Sequence, residues 1–283
     1  MNADAVCPLS KLDKILVTTD RSSFSEGAVR EALSLSNKCN SRLYVVSVLE
    51  SNPEYETIGA NIYKKEEREA RAYLEAIQAR ATKEGISSCE ISLLVGQDPY
   101  RLIVREAAEK KVDMIIVGRR GRSGVMKMLM GSVTAKVIGH APCKVLVVPR
   151  AARIEYRNIL VATDGSEHSM AAAAEAVGLA KRHGSGLIAV SVMHSDAEAA
   201  AASAHVKAVV DLARKNDVAI SSETPVGRAH TTIVEMAGGR GVDLIVMGAH
   251  GKTDLRQLVM GSTTERVIGL ANCAVMVVPA PGA

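Results

Sequence analysis

The chain is one unit written twice, so any fold it adopts must accommodate two copies of the same pattern. Lys14-Ile-Leu-Val-Thr-Thr-Asp20 returns as Asn158-Ile-Leu-Val-Ala-Thr-Asp164, Val112-Asp-Met-Ile-Ile-Val-Gly118 as Val242-Asp-Leu-Ile-Val-Met-Gly248, and Pro142-Cys-Lys-Val-Leu-Val-Val-Pro149 as Asn272-Cys-Ala-Val-Met-Val-Val-Pro279. The offset is 144 residues for the first pair and 130 for the other two, so the second copy is shorter after its second apolar run, opposite residues 50–63. Loops absorb such differences far better than strands do. With 283 residues the chain suits two domains, expected at 1–150 and 151–283. The linker at 150–156 is short, so the halves are expected to pack against each other.

Within each copy short apolar runs alternate with helical patterns. In the first, strands are expected at 15–18, 42–49, 89–95, 114–117 and 144–148, and helices at 25–38, 64–84, 99–111 and 134–140. With six Tyr, one Phe and no Trp, the cores must come from Val, Ile, Leu, Ala and Met. Continuous Val/Ile runs separated by helices imply a parallel sheet covered on both faces. Pro149 and Pro279 stop the fifth strand of each copy. The expected class is α/β, with two five-stranded, Rossmann-like, parallel-sheet domains in tandem.

After the fourth strand the first copy reads Gly118-Arg-Arg-Gly121, nine residues, then Gly131-Ser132; the second reads Gly248-Ala-His-Gly251, nine residues, then Gly261-Ser262. Glycines at the carboxyl end of a strand let backbone N–H groups approach an anion without an intervening Cβ. The helix opened by Gly131-Ser132 or Gly261-Ser262 adds free N–H donors and a positive dipole end. The Ser132 and Ser262 hydroxyls either cap that helix or reach a phosphate oxygen. Turn-making alone accounts poorly for identical G-x-x-G-x9-G-S spacing kept twice while neighbouring residues differ.

This signature resembles the ATP-binding motif of the universal stress protein family. The resemblance covers nearly the whole chain, because each half also has the family's opening strand ending in Asp (Asp20, Asp164) and its closing V-x-V-V-P strand. It implies strand order 3-2-1-4-5, with nucleotide across the carboxyl ends of strands one and four. Adenine and ribose contacts would fall on Thr19, Asp20 and Val48, and on Thr163, Asp164 and Val192. Phosphate contacts would fall on Gly121, Gly131, Ser132, Val133 and Thr134, and on Gly251, Gly261, Ser262, Thr263 and Thr264. Gly118, Arg120, Gly248 and His250 complete the loops. A strand-end Asp also serves commonly as a helix cap, so Asp20 and Asp164 have both readings. The implied ligands are ATP or AMP with Mg2+ on the phosphates, and the implied role is nucleotide-dependent regulation in the stress response.

The copies are not chemically equal. The family's D-G-S turn stands intact at Asp164-Gly165-Ser166, but the first copy has Asp20-Arg21-Ser22. Arg21 either crowds the mouth or supplies another phosphate partner. Arg119, Arg120 and Arg122 either strengthen the pull on a polyphosphate or form a solvated basic rim. Strand five, an apolar run at the sheet edge, is expected to pair one half with the other as an intramolecular pseudo-dimer; dimerisation of the whole chain and the protein partner are left open.

Other classes find little support. A net charge of +4 is no nucleic-acid signal. No apolar stretch of membrane-spanning length or signal core is present, so a cytoplasmic protein without a membrane span is expected. Five widely spaced cysteines without a CxxC are expected to be reduced and mostly buried. His250-Gly-Lys-Thr253 imitates the end of a P-loop, but Val246 stands where the first glycine is needed. There is no HExxH and no G-x-S-x-G, and no general base is assembled beside the loop. Slow ATP hydrolysis is compatible with this and efficient catalysis is not expected. The alternatives are a true ATPase or adenylyl-transferring enzyme and a non-nucleotide interaction module, with an RNA-binding basic loop more remote.

Overall fold

The computed structural model describes residues 7, 12–51, 60–121, 130–252 and 260–280. The first half runs β1 (Lys14–Thr18), α1 (Glu26–Cys39), β2 (Arg42–Glu50), α2 (Ala60–Lys83), β3 (Cys89–Gly96), α3 (Pro99–Lys110), β4 (Met114–Gly118), α4 (Ser132–His140) and β5 (Lys144–Val148). The second repeats it as β6 (Asn158–Ala162), α5 (Glu167–His183), β7 (Gly186–Val190), α6 (Ala199–Lys215), β8 (Ile220–Glu223), α7 (Ala229–Gly239), β9 (Leu244–Gly248), α8 (Ser262–Leu270) and β10 (Ala274–Val278), with a 3-10 turn at Asp196–Glu198 before α6.

All ten strands form one sheet in the order β3-β2-β1-β4-β5-β10-β9-β6-β7-β8. Each half therefore has the order 3-2-1-4-5 that the resemblance implies. Every pairing within a half is parallel. The seam is antiparallel, with Val147 opposite Val275 and Leu146 opposite Met276. The expected edge strand is thus covered by its twin, which removes the pairing liability of an exposed apolar edge. Alternation along the strands sends Ile15 and Val17 to one face and Leu16 to the other, and both faces are packed. Each of the two cores runs through both halves, with Leu146 and Met276 meeting on one face and Val147 and Val275 on the other.

Further contacts tie the halves. Lys144 Nζ lies 2.8 Å from Glu175 Oε1 on α5, and Arg119 Nη1 donates to the Ala271 carbonyl at the end of α8 over 2.6 Å. The linker is buried at Ala152, Ile154 and Tyr156. Tyr156 and Arg157 donate their backbone N–H groups to the Asp243 carboxylate. The charged α2 buries Ala70, Leu74, Ile77 and Ala81 and exposes one face laced by pairs such as Arg71–Glu67 and Arg80–Glu84. Among the described residues no helix is long and apolar enough to cross a membrane.

The cysteine expectation needs correction. Cys7 and Cys39 form a disulfide. The bond joins Cys7 to the last residue of α1, two thiols 32 residues apart in sequence, a proximity that spacing cannot reveal. Cysteine usage therefore loses its force as an argument for a reducing compartment. Cys89, Cys143 and Cys273 remain thiols. Burial pushes Cys143 up to about 12 and Cys89 and Cys273 up to about 11, which keeps them protonated and unreactive.

Candidate functional site

In each half strand one lies between strands two and four. The crevice beyond its carboxyl end is therefore a topological switch point, where chains leave the sheet in opposite directions. Two clefts open there, of about 400 Å³ in the first half and about 450 Å³ in the second. All the residues expected as contacts line them: Thr19, Asp20, Val48, Gly118, Arg120, Gly121, Gly131, Ser132, Val133 and Thr134 in one. The other has Thr163, Asp164, Val192, Gly248, His250, Gly251, Gly261, Ser262, Thr263 and Thr264.

Hydroxyls build the floor of each cleft. Thr19 Oγ1 lies 2.8 Å from Ser25 Oγ and accepts from Arg21 N at 3.0 Å. Its twin Thr163 Oγ1 lies 3.1 Å from Ser169 Oγ and accepts from Gly165 N at 3.1 Å. Both threonines are buried, so their hydroxyls hold the turn after strand one to the helix that follows.

The strand-end aspartates are turn brackets rather than caps. Asp20 Oδ1 accepts from the backbone and hydroxyl of Ser22. Asp164 Oδ1 accepts from Ser166 N, and its Oδ2 accepts from Lys252 N at 2.7 Å. The cap positions belong to Ser25 and Ser166. Burial alone would raise the Asp164 carboxyl, but hydrogen bonds from Ser166, Lys252 and Ser169 hold it below its ordinary value.

The glycine loops close identically. Gly131 N donates to Arg119 O and Gly261 N to Ala249 O, both at 2.9 Å. Thr134 Oγ1 donates to Gly118 O and Thr264 Oγ1 to Gly248 O, both at 3.0 Å. This clasp fixes the start of α4 and α8 over the end of strand four. The first helical N–H groups, which have no intrahelical acceptor, stand at the crevice. Gly131 and Gly261 occupy the N-cap in extended conformation, so Ser132 and Ser262 are the first helical residues. Of the two readings for those exposed serines, capping is excluded.

The two clefts differ along the wall facing the helix after strand two. Arg21 and Gly165 both take positive φ, 67° and 74°. That is easy for glycine and strained for arginine. Arg21 reaches Glu66 O on α2 with Nη1 at 3.1 Å. In the second cleft the space is taken by His205 from α6, and a Cβ on Gly165 would meet its ring at 2.5 Å. His205 Nδ1 lies 3.2 Å from Ser191 Oγ, and its Nε2 lies 2.8 Å from Lys252 Nζ. Burial first, and the Lys252 charge second, hold the imidazole below its ordinary value, only partly offset by Asp164.

The arginine expectation is met in part. Arg120 and Arg21 line the first cleft. Arg119 does not, because its guanidinium crosses the seam to Ala271. Arg122 lies outside the described residues, as does Thr253 of the P-loop lookalike. His250 lines the second cleft with its ring edge-on to His168 at 5.2 Å. Sequence reasoning missed Glu50, Glu66 and Ile103 in the first cleft and His194, Glu198, His205, Lys252 and Ile233 in the second. Half of them, Glu66, Ile103, His205 and Ile233, stand outside the repeated motifs, on the helices after strands two and three. Among the described residues no group of three or more His, Cys, Asp or Glu is arranged to hold a metal ion.

Comparison with known proteins agrees with the fold. A universal stress protein crystal structure from Archaeoglobus fulgidus superposes with a TM-score of 0.74 at 20% identity, covering 95% of this chain and 99% of that one. The protein named universal stress protein Sll1388, from Synechocystis, is 30% identical over 150 residues, covering 48% of this chain and 96% of its own. The protein named putative universal stress protein SH1215, from Staphylococcus haemolyticus, is 30% identical over 136 residues, covering 47% of this chain and 82% of its own. The model of the universal stress protein family matches twice, at residues 11–149 and 155–279, so the chain belongs to that family and carries its unit in tandem.

Proposed function

We propose that each half, 1–150 and 151–283, binds one adenine nucleotide, ATP or AMP, at its glycine loop, and that occupancy regulates what the protein engages during stress. The observation that carries this reading is the pair of N-cap glycines. Gly131 (φ −65°, ψ 142°) and Gly261 (φ −64°, ψ 137°) have backbone angles open to any residue. A Cβ on Gly131 would make only ordinary contacts, at 3.6 Å from Arg120 Cα, Gly121 N and Thr134 Oγ1. Ser, Asn or Asp would serve a helix cap better than glycine. At Gly131 neither backbone nor packing demands glycine and at Gly261 the backbone does not, yet both halves have it where a phosphate would approach the loop and helix N–H groups.

The clefts suit a nucleotide in size. Val48 and Val192 offer apolar contact to a base, and the loop and helix offer donors to phosphates. Both oxygens of Asp164 are engaged by backbone N–H groups, so Mg2+ would ride on the phosphates rather than on this carboxylate. Gly131→Ala is the test. It should lower nucleotide affinity of the first site about tenfold or more by covering Gly121 N, with the melting temperature within about 2 °C of wild type. Unchanged nucleotide affinity in the variant would return the glycines to the role of turns and favour an interaction module.

A further inference from the structure

Four side chains from four elements close the mouth of the second cleft. Asp164, after β6, accepts the Lys252 backbone N–H at 2.7 Å. Lys252 follows the glycine loop after β9, and its ammonium lies 2.8 Å from His205 Nε2 on α6. His205 Nδ1 lies 3.2 Å from the buried Ser191 Oγ, after β7. An ammonium has only donors, so Nε2 must offer its lone pair and Nδ1 carries the proton donated to serine. The imidazole is therefore neutral in this arrangement. Its lowered affinity for a proton, caused by burial and the Lys252 charge, agrees.

An ammonium held by a neutral acceptor keeps its full charge for a ligand, unlike one matched by a carboxylate. Among the described residues lining the second cleft, Lys252 is the one lysine or arginine. The first cleft has Arg21 and Arg120. Helix and loop N–H groups can hold one phosphate in either cleft. Charge beyond that phosphate meets two arginines in the first cleft and Lys252 in the second.

We infer that Lys252, positioned by His205, is a specificity-determining cation of the second site, recognising the phosphate chain beyond the first phosphate, so that this site prefers nucleoside di- and triphosphates to monophosphates. The inference rests on the nucleotide reading proposed above. Lys252 is exposed, so its replacement leaves the fold intact. His205 is a positioning residue that sets where the ammonium stands.

The experiment is calorimetric titration of the full chain with ATP and with AMP, without magnesium, in a Gly131→Ala background that weakens the first site. Lys252→Met should weaken ATP binding at the second site about tenfold and leave AMP within about twofold. Lys252→Arg should restore the preference for ATP by keeping the charge. Equal loss for both nucleotides, or none for either, would overturn the specificity role while leaving the nucleotide reading intact. If neither nucleotide binds the second site before Lys252 is changed, the nucleotide reading itself fails there, and the inference falls with it.

Discussion

Gly248→Ala should lower the melting temperature by about 2–12 °C and abolish nucleotide binding in the second site. A Cβ at this position would stand 2.7 Å from the carbonyl carbon and Cβ of His168 and 3.0 Å from its carbonyl oxygen. His168 lies in the first turn of α5, so the obstacle includes backbone and cannot rotate away. Overpacking of this kind costs about 1–3 kcal/mol. In a chain of this size each kcal/mol shifts the melting temperature by about 2–4 °C. The damage falls on the site because the displaced turn carries Ser166, whose N–H donates to Asp164, and because Gly248 O accepts from Thr264. Gly131→Ala is the contrast: its methyl has room, so affinity at the first site falls while stability is kept. Thermal unfolding and nucleotide titration of the two variants together separate the effects. A Gly248→Ala protein that melts with wild type would show that α5 does not press on the strand end as described.

The second large effect concerns the seam. Glu31, on α1, is buried, and burial pushes its carboxyl up to about 7 despite Lys38 and Arg30, with Asp243 of the other half adding to the rise. An unfolded glutamate ionises around 4.5. From there to about 7 the unfolded chain has shed this proton and the folded chain keeps it, so stability falls as pH rises through that window. The difference of about 2.5 units corresponds to about 3 kcal/mol, fully lost above pH 7. Glu31→Gln, which is always neutral, should unfold like wild type at pH 4 and be more stable by up to about 3 kcal/mol at pH 8. Urea unfolding at the two pH values checks this. Equal stabilities at pH 8 would place Glu31 in a solvated or charge-matched setting.

Fold and glycine loop were legible because both depend on local patterns written twice. Two identical G-x-x-G-x9-G-S spacings locate two strand ends and two helix starts, and strands that are apolar on both faces require a covered parallel sheet. The edge position of strand five followed from the implied order, and pairing within the chain followed from its apolar character. The cleft walls were not legible. The buried positions Leu74, Ile77, Ala81 and Ile86 match Val206, Val209, Ala213 and Val218 at an offset of 132, which places Tyr73 opposite His205. The repeat therefore points to unlike residues, and only three-dimensional packing shows that Arg21 from a turn fills the space His205 fills from a helix. Thr134 and Thr264 were read as phosphate contacts; their hydroxyls are spent on the strand-four carbonyls, so any such contact falls to their backbone N–H groups. A motif shows that a residue belongs to a site without saying whether it serves the ligand or the loop. Arg119 and the Cys7–Cys39 pair illustrate the same limit, since their partners lie far away in sequence.

The central claim is that the two glycine loops are two nucleotide sites. It is tested most directly by equilibrium dialysis of the full chain against radiolabelled ATP, after nucleotide carried through purification has been removed and identified by mass spectrometry. The account predicts saturation at two nucleotides per chain, falling to one in Gly248→Ala. No saturable binding at millimolar ATP or AMP would contradict it.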